Sequence, residues 1–458
     1  MDAQAARKAD ATGCMELFLP KGVGERTIRE ISKIKREPGW MLEKRLQALA
    51  EFQKKPMPSW GPDLSGIDFS AIGYYNRPAV VASKKWASVP KKIRDTFEKL
   101  GIPKAEREYL AGAGAQFDSE AVYENLRESL SARGVVFCDA DTGLREHGKT
   151  FRKYFGTLVP ASDNKFAALN TAVWSGGSFV IVPPGVSVEI PLQAYFWMNA
   201  KKSGQFERTL LIAQKGSSVH YIEGCSAPRY SSESLHAAVV EIFAQEGAKV
   251  RYTTIQNWSD NVYNLVTKRA VATENAAVEW VDGNFGSRTT MKYPCVILKG
   301  RGSRADMVSV AFAGKGQDID AGVKMIHIAR DTTSKVVSKS VSKNGGHSSF
   351  RGIVRMGKSA ANAKSHVECN SLLLDGDSSA DTFPSMAVAN DTAQATHEAA
   401  VSRLDEEKLF YMRTRGFTAD LARQMLVHGF VEPFSRELPM EYAVEMNRLL
   451  SLQLGEEK

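Results

Sequence analysis

KGSSVHYIEGC (residues 215–225), EGAKVRYTTIQ (246–256), ENAAVEWVDGN (274–284) and RGSRADMVSVA (301–311) share one plan: a turn of small residues, then an alternating strand. TTSKVVSKSVS (332–342) and SAANAKSHVEC (359–369) continue the series more loosely, and successive units are spaced by 27 to 31 residues. A fixed period with one short strand and one tight turn per unit is what a parallel β-solenoid requires, because each coil stacks its strand on the one beneath. A β-sandwich of similar hairpins is the alternative, but sandwiches do not usually hold a register of about 29 residues over six units. The sequence therefore predicts a mainly β protein built on a solenoid.

The register carries chemistry. Aligning the units on their turns places Cys225, Gln256, Asn284, Ala311, Ser342 and Cys369 in one column on one face of the stack. The column two residues earlier reads Glu223, Thr254, Asp282, Ser309, Ser340 and Val367. A dry interior would hold Val, Ile and Leu there, so these columns either face water or line an internal passage. Cys225 and Cys369 fall five repeats apart, roughly 24 Å at one coil of about 4.8 Å per repeat, and twice that if each repeat makes two coils. On either count the two sulfurs are too distant to share a metal or a disulfide within one chain. His397 and Glu398 lie 28 and 29 residues beyond Cys369, one further period. Thiol, imidazole and carboxylate are thus expected on adjacent coils, a donor set suited to iron or another transition metal.

Helical patterns flank the repeat. REPGWMLEKRLQALAEF begins a helix at Pro38 with Met41, Leu42, Leu46 and Leu49 on one stripe, and the prolines of PMPSWGP end it. A second helical region is expected over roughly residues 91–133, broken at AGAGAQFDSE, with strand texture from about Leu158. After Ser402 the helical period returns: Thr418 reads as an N-cap, Leu421, Met425 and Leu426 share a face, Gly429 closes the helix, and Pro439 opens the next. The expected organisation is a helical region over 1–155, its first ~20 residues disordered, a solenoid over 156–402, and a helical region over 403–458. Amphipathic helices appended to a rigid solenoid suit partner docking, the alternative being that they cap its end.

Composition narrows the function classes. Hydrophobic residues make up 43% and charged residues 24% of the 458, ordinary for a globular protein, and no apolar run approaches a membrane span. MDAQAARKADATGCMELF lacks an apolar core and carries early acids, unlike a secretory signal. The five cysteines, Cys14, Cys138, Cys225, Cys295 and Cys369, form no CxxC pair and fit a reducing compartment, the cytoplasm or an organelle interior. The net charge of +8 is not gathered into a stripe: KKWASVPKKIRDTFEKLGIPKAER, its densest basic stretch, is interleaved with acids and offers little to nucleic acid. GIVRMGKS (352–359) fits the letters of GxxxxGK[ST] but falls inside the strand–turn repeat with no helical pattern after it, and neither GxGxxG nor GxSxG occurs, so no nucleotide site or hydrolase elbow of a standard kind is expected. A polysaccharide-active enzyme, the other function common on such folds, would need acids and bases grouped on the outer face of one sheet, and none group there.

REPGWMLEKRLQAL, YFGTLVPASDNKFAALNTAVWSGGSF, GQFERTLL, HYIEGCSAP, TTIQNWSDNVYNLVTKRA, SKSVSKNGGHSSFRG, VECNSLL and HEAAVSRLDEEKLFY resemble the SufB scaffold proteins of the SUF iron–sulfur cluster assembly system, within the SufB/SufD family, from about residue 24 to the C-terminus. The resemblance implies a right-handed parallel β-helix between helical ends. It implies a scaffold, not an enzyme, working with the ATPase SufC and with SufD or a second SufB. Cys225, of the EGC block, is then the acceptor of sulfane sulfur from a SufE- or SufU-type donor fed by a cysteine desulfurase. Asn199, Gln256, Trp258 and Lys268 match positions lining the sulfur's route. Cys369, Glu398 and His397 match the site of a transient [4Fe–4S] or [2Fe–2S] cluster bound for apo iron–sulfur proteins, with His397 the expected lesser ligand. A reduced flavin accompanies some complexes of the family, but no residue here locates one. Two departures stand out: Trp197 in YFWMN where the family usually has arginine, and Asn370 after Cys369 where it has aspartate.

Overall fold

The computed structural model describes residues 6–9, 15–77, 83, 88–89, 94, 110–198, 203–227, 233–438 and 440–454. Its centre is a parallel β-solenoid in which each coil gives one strand to each of two facing sheets. Ser218–Ser226, Lys249–Trp258, Ala277–Gly286, Arg304–Ala313, Thr333–Ser342, Lys364–Leu373 and Gln394–Arg403 stack in the 10-stranded sheet. Val262–Ala272, Asp318–His327, His347–Met356 and Ser379–Val388 belong to the 12-stranded sheet opposite. One repeat is one coil, which fixes the rise between Cys225 and Cys369 at five coils, roughly 24 Å.

The turns entering six strands of the 10-stranded sheet, from Ser218–Ser226 to Lys364–Leu373, each hold one left-handed residue: Gly216, Gly247, Asn275, Gly302, Asp331 and Asn362, φ between 54 and 68. Their backbone N–H groups climb the stack, Gly216 donating to Glu246 at 2.8 Å, Gly247 to Glu274 at 2.8 Å and Asp331 to Ala361 at 2.8 Å. These corners correct the expected register of the last two units. Ala311 pairs with Ser340 and Ser340 with Ser371, so neither Ser342 nor Cys369 lies in the Cys225 column. Cys369 pairs instead with Ser338, continuing the column of Glu223, Thr254, Asp282 and Ser309. The slip of two residues has a physical origin. Asp331 and Asn362 take the left-handed corner that glycine takes in three of the earlier coils, because short polar side chains tolerate that conformation, so no glycine marks the anchor.

Helices cover the outer faces. Glu25–Lys35, Gly39–Lys54 and Lys165–Val173 seat Ile28, Leu49, Phe52 and Leu169 against Tyr263, Leu265 and Met291 of the 12-stranded sheet. Pro38 caps the second of these, as its sequence predicts. The helical expectation for 91–133 holds in part where that stretch is described: Glu128–Ser131 is a short helix and AGAGAQFDSE breaks the pattern, but the segment from Gly112 to Leu126 is β. Gly112–Phe117 and Glu120–Leu126 form an antiparallel hairpin whose first strand pairs in parallel with Ser187–Trp197 and whose second strand ends the 10-stranded sheet. Gly112 is required there, since a Cβ would meet the Phe137 ring at 2.8 Å.

At the other end, Glu406–Thr414, Ala419–Ser435 and Met440–Leu454 are helical. Thr418 caps the second, its Oγ1 accepting from the Leu421 N–H at 3.2 Å. That helix does not stop at Gly429. Val431 and Phe434, one turn on, are buried against Val281, Val310 and Val341 on the outer face of the 10-stranded sheet, and this burial outweighs the glycine's poor helix propensity. Pro439 lies outside the described residues. No described helix is long and apolar enough to cross a membrane.

Candidate functional site

Strand alternation turns Cys225 and Cys369 into the bore between the two sheets, where both are buried in one continuous interior cluster. Around Cys225 that interior is charged. The Cys225 thiol lies 3.7 Å from Glu223 Oε1, and the other Glu223 oxygen accepts from the Tyr252 hydroxyl. Glu207 Oε2 and Asn264 Oδ1 each sit 2.8 Å from a ring nitrogen of His236, which therefore faces two acceptors and is held as the imidazolium. Burial alone would push His236 down, but Glu207 and these hydrogen bonds hold it above the ordinary histidine range. Asn264 Nδ2 donates to Gln256 Oε1 at 2.8 Å, and Lys292 Nζ donates to the same oxygen at 3.2 Å.

A buried ion triad completes the chamber. Asp282 Oδ1 lies 3.2 Å from Lys268 Nζ and Asp282 Oδ2 lies 3.4 Å from Lys292 Nζ, with Lys268 also bonded to Thr254. Burial works against the carboxylate, yet the two ammonium groups hold Asp282 below its usual range. Burial also brings Lys292 down to about 8, with Asp282 opposing the shift and Lys268 adding to it. The Cys225 thiol is raised well above its usual value by burial, then by Glu223 and Glu207, with Lys268 and Lys292 only partly offsetting them. In this closed arrangement residue 225 is a protonated thiol, and a thiolate nucleophile forms only when the chamber opens or a base takes the proton.

The expected route residues divide. Gln256 pairs directly with Cys225, and Trp258 sits two residues on with its ring 4.6 Å from His236. Gln256 Nε2, Trp258 Nε1 and Asn284 Oδ1 are buried without a partner, which marks the bore as a place where a small polar species can be held. Asn199 lies outside the described residues. Trp197 faces out of the bore, being in register with Ser226 beside the inward Cys225, and packs on Phe117 and Tyr123. The missing arginine therefore leaves the inner chamber intact, and Lys268 and Lys292 supply its positive charge. Glu207, His236, Asn264 and Lys292 were not singled out from sequence. The signal for Lys292 was available in its parity, since TTMK is a strand whose Thr290 and Lys292 share the inward face with Asn264 and Val266.

The Cys369 end is neutral and open. Cys369 Sγ lies 3.2 Å from His397 Nε2 and 3.8 Å from Thr382 Oγ1 across the bore. Burial raises the thiol, with Thr382 opposing and Glu368 adding, and burial lowers His397, so the imidazole is neutral with a lone pair to offer. Glu398 is not brought to this pair. It is in register with Glu368 on the exposed face, and alternation turns it away from His397. The structure thus sets His397, the expected lesser ligand, against the thiol. Asn370 also faces outward and donates to Glu368 at 2.6 Å. Among the described residues no three His, Cys, Asp or Glu side chains converge on a metal position, so this chain presents two donors. Ser379–Val388 and Gln394–Arg403 end their sheets and expose Phe383, Met386, Val388 and Val401.

Comparison with known proteins gives the family. The family description "SUF system FeS cluster assembly, SufBD core domain" matches residues 196–430, and "SufBD protein N-terminal region" matches 115–194. An iron–sulfur cluster assembly SufBD family protein of Staphylococcus epidermidis is 56% identical over 434 residues, covering 95% of this chain and 93% of its own. A protein so described from Staphylococcus aureus is 55% identical over the same length, with the same coverage of both chains.

Proposed function

The chain belongs to the SufBD family of iron–sulfur cluster assembly proteins, and on that premise we propose that it is a SufB-type scaffold on which sulfur and iron are assembled and handed on. The observation that carries this reading is the placement of two buried thiols on one interior bore, five coils apart, in chemically different surroundings. Cys225 accepts sulfane sulfur from a SufE- or SufU-type donor and its desulfurase. The sulfur passes Gln256, Trp258 and Lys268 toward the Cys369–His397 pair, where a cluster is built as cargo for apo proteins.

Two donors grip a cluster weakly, which suits a cargo that must leave. The remaining ligands come from a partner, SufD or a second SufB, added to the open strand edges of Ser379–Val388 and Gln394–Arg403. Unpaired ten-residue edges bearing exposed apolar side chains are templates for such strand addition. Glu398 stands on the outer face of that edge, positioned to join the cluster site only when the partner is present. The exposed Phe410, Tyr411, Leu421 and Met425 of the C-terminal helices form the docking face for the SufC ATPase, which supplies the catalytic activity that the scaffold itself lacks. The scattered thiols fit work in the cytoplasm or an organelle interior.

The deciding experiment separates sulfur acceptance from cluster building. Cys225→Ser should abolish sulfane labelling from a persulfide donor and leave chemical reconstitution with iron and free sulfide largely intact. Equal labelling of the variant and the parent removes Cys225 from the pathway.

A further inference from the structure

This inference deepens the proposed sulfur passage and rests on it. Between Cys225 and Cys369 the inward columns hold no thiol. Cys295 is turned outward: it is in register with Arg269 and Lys324, while its neighbours Val296 and Leu298 face the core. Sulfur cannot cross roughly 24 Å by thiol exchange, because exchange requires one sulfur to attack another in contact.

The bore also changes character partway. Through Asp282 and Lys292 it is lined by ions and amides. The next coil presents Ala311 and Ala313 from one sheet and Ile319 and Ala321 from the other, buried against each other as a separate apolar cluster. Its polar groups are already engaged: Ser309 donates to Ser338 at 2.9 Å, and His327, at the coil's corner, bonds Thr332 and Ser334. Beyond this collar the lining is neutral hydroxyl, with Ser348 donating to Ser340 at 3.0 Å and Ser340 to Ser371 at 2.8 Å.

We propose that sulfur crosses the Ala311–Ile319–Ala321 collar as neutral hydrogen sulfide, freed from Cys225 by thiol reduction of its persulfide, and not as a bound persulfide or a hydrosulfide anion. An anion leaving the chamber would give up Lys268 and Lys292 and meet no unengaged donor in the collar, which is the unfavourable case for any buried charge. Hydrogen sulfide loses little there, since S–H groups are weak donors and weak acceptors. The chemistry balances as one Cys225 persulfide plus two thiols R–SH giving the Cys225 thiol, one hydrogen sulfide and one disulfide RS–SR. The persulfide S–S bond breaks, the S–S bond of RS–SR forms, and the two thiols supply both electrons, with one of their protons going to the sulfane sulfur and the other to the Cys225 sulfur. The reductant is thus a dithiol or a pair of monothiols, delivered at the Cys225 end.

The test uses the full-length chain with its assembly partners. Cys225 is loaded with radiolabelled sulfane sulfur from a persulfide donor, the donor is removed, and label is followed with and without dithiothreitol. Label should remain on residue 225 until the dithiol is added and then appear as acid-labile sulfide in the cluster. Ala311→Phe, filling the collar, should accept and release label normally yet deliver about tenfold less of it to the cluster. Where circular dichroism finds that variant unfolded, Ala311→Val decides instead, with delivery reduced about threefold. Label reaching Cys369 as a persulfide before any dithiol is added overturns the proposal, as does undiminished delivery through a folded, filled collar. Failure to label residue 225 at the first step is a distinct outcome that overturns the acceptor assignment and this inference with it.

Discussion

The two ends of the bore solve opposite problems with the same backbone. Around Cys225 the coils close over six ionisable groups, Glu207, Glu223, His236, Lys268, Asp282 and Lys292, all buried: Asp282 pairs across the bore with both lysines, and Glu207 pairs with His236 one coil along. Around Cys369 there is one thiol, one neutral imidazole and a run of hydroxyls, and the final coil is half exposed. A closed, charged chamber protects a reactive sulfur and holds it until reduction. An open, neutral end with few ligands lets a large cargo form and depart. Residues that keep charge inside should therefore govern folding, and residues at the open end should govern binding.

The largest effect is expected at Asp282. Removing this carboxylate leaves Lys268 and Lys292 facing each other in the interior without a counter-charge. Asp282→Ala should destabilise the chain by about 3–5 kcal/mol, the usual range for breaking a buried pair by deleting one partner. Ser340→Ala, in the hydroxyl half, should cost about 1 kcal/mol, because it removes neutral hydrogen bonds only. Urea unfolding of both variants checks the contrast, and equal losses would dissolve the distinction between the two halves.

How much of this was legible follows from which residues carried the signal. The solenoid was readable because Gly216, Gly247 and Gly302 mark their corners with glycine and their strands alternate cleanly. The last two coils slipped by two because Asp331 and Asn362 do the same work without glycine. Cys225, Gln256 and Lys268 were reachable from motif blocks, but the chamber was not. Glu207 and His236 lie 29 residues apart and meet only because one coil separates them, and no local pattern announces a side chain whose partner is a full turn away. Glu398 turns away from the Cys369–His397 pair for the converse reason: adjacency to His397 in sequence means opposite faces in a strand.

A pH experiment sharpens the contrast at intermediate size. Lys292 is brought down to about 8 by burial, whereas an unfolded chain keeps the ordinary lysine value of 10.5. Between those two values the unfolded chain binds the proton at residue 292 and the folded chain does not, so this lysine contributes a stability that grows as pH increases from about 8 toward 10.5, opposed above about 9 by the buried thiols that the fold keeps protonated. Below that window the penalty for burying the ammonium is constant. Lys292→Met should therefore lower the slope of stability against pH across the window, whereas Cys369→Ala, which removes a thiol held protonated, should raise the slope above about 9. A Lys292→Met profile parallel to the wild-type one through this window would place the Lys292 ammonium in a far better-solvated site than the triad describes.

The smallest effect on stability, and the sharpest on binding, belongs to the pair His397 and Glu398. Both lie on the last strand of their sheet, where few packing contacts depend on either side chain, so each variant should shift stability by no more than about 0.5 kcal/mol. Iron binding should separate them. His397 Nε2 stands 3.2 Å from the Cys369 sulfur, while Glu398 faces solvent beside Glu368. In the isolated chain His397→Ala should therefore lose most of the cluster absorbance that anaerobic reconstitution produces, and Glu398→Gln should retain most of it. With the partner seated on the Gln394–Arg403 edge, Glu398→Gln should begin to matter, because an added strand brings new groups against the outer face that carries its carboxylate. Loss of absorbance in the isolated Glu398→Gln protein, with His397→Ala unaffected, would mean that the final strand turns over when iron binds and that the thiol–imidazole contact belongs to the resting state alone.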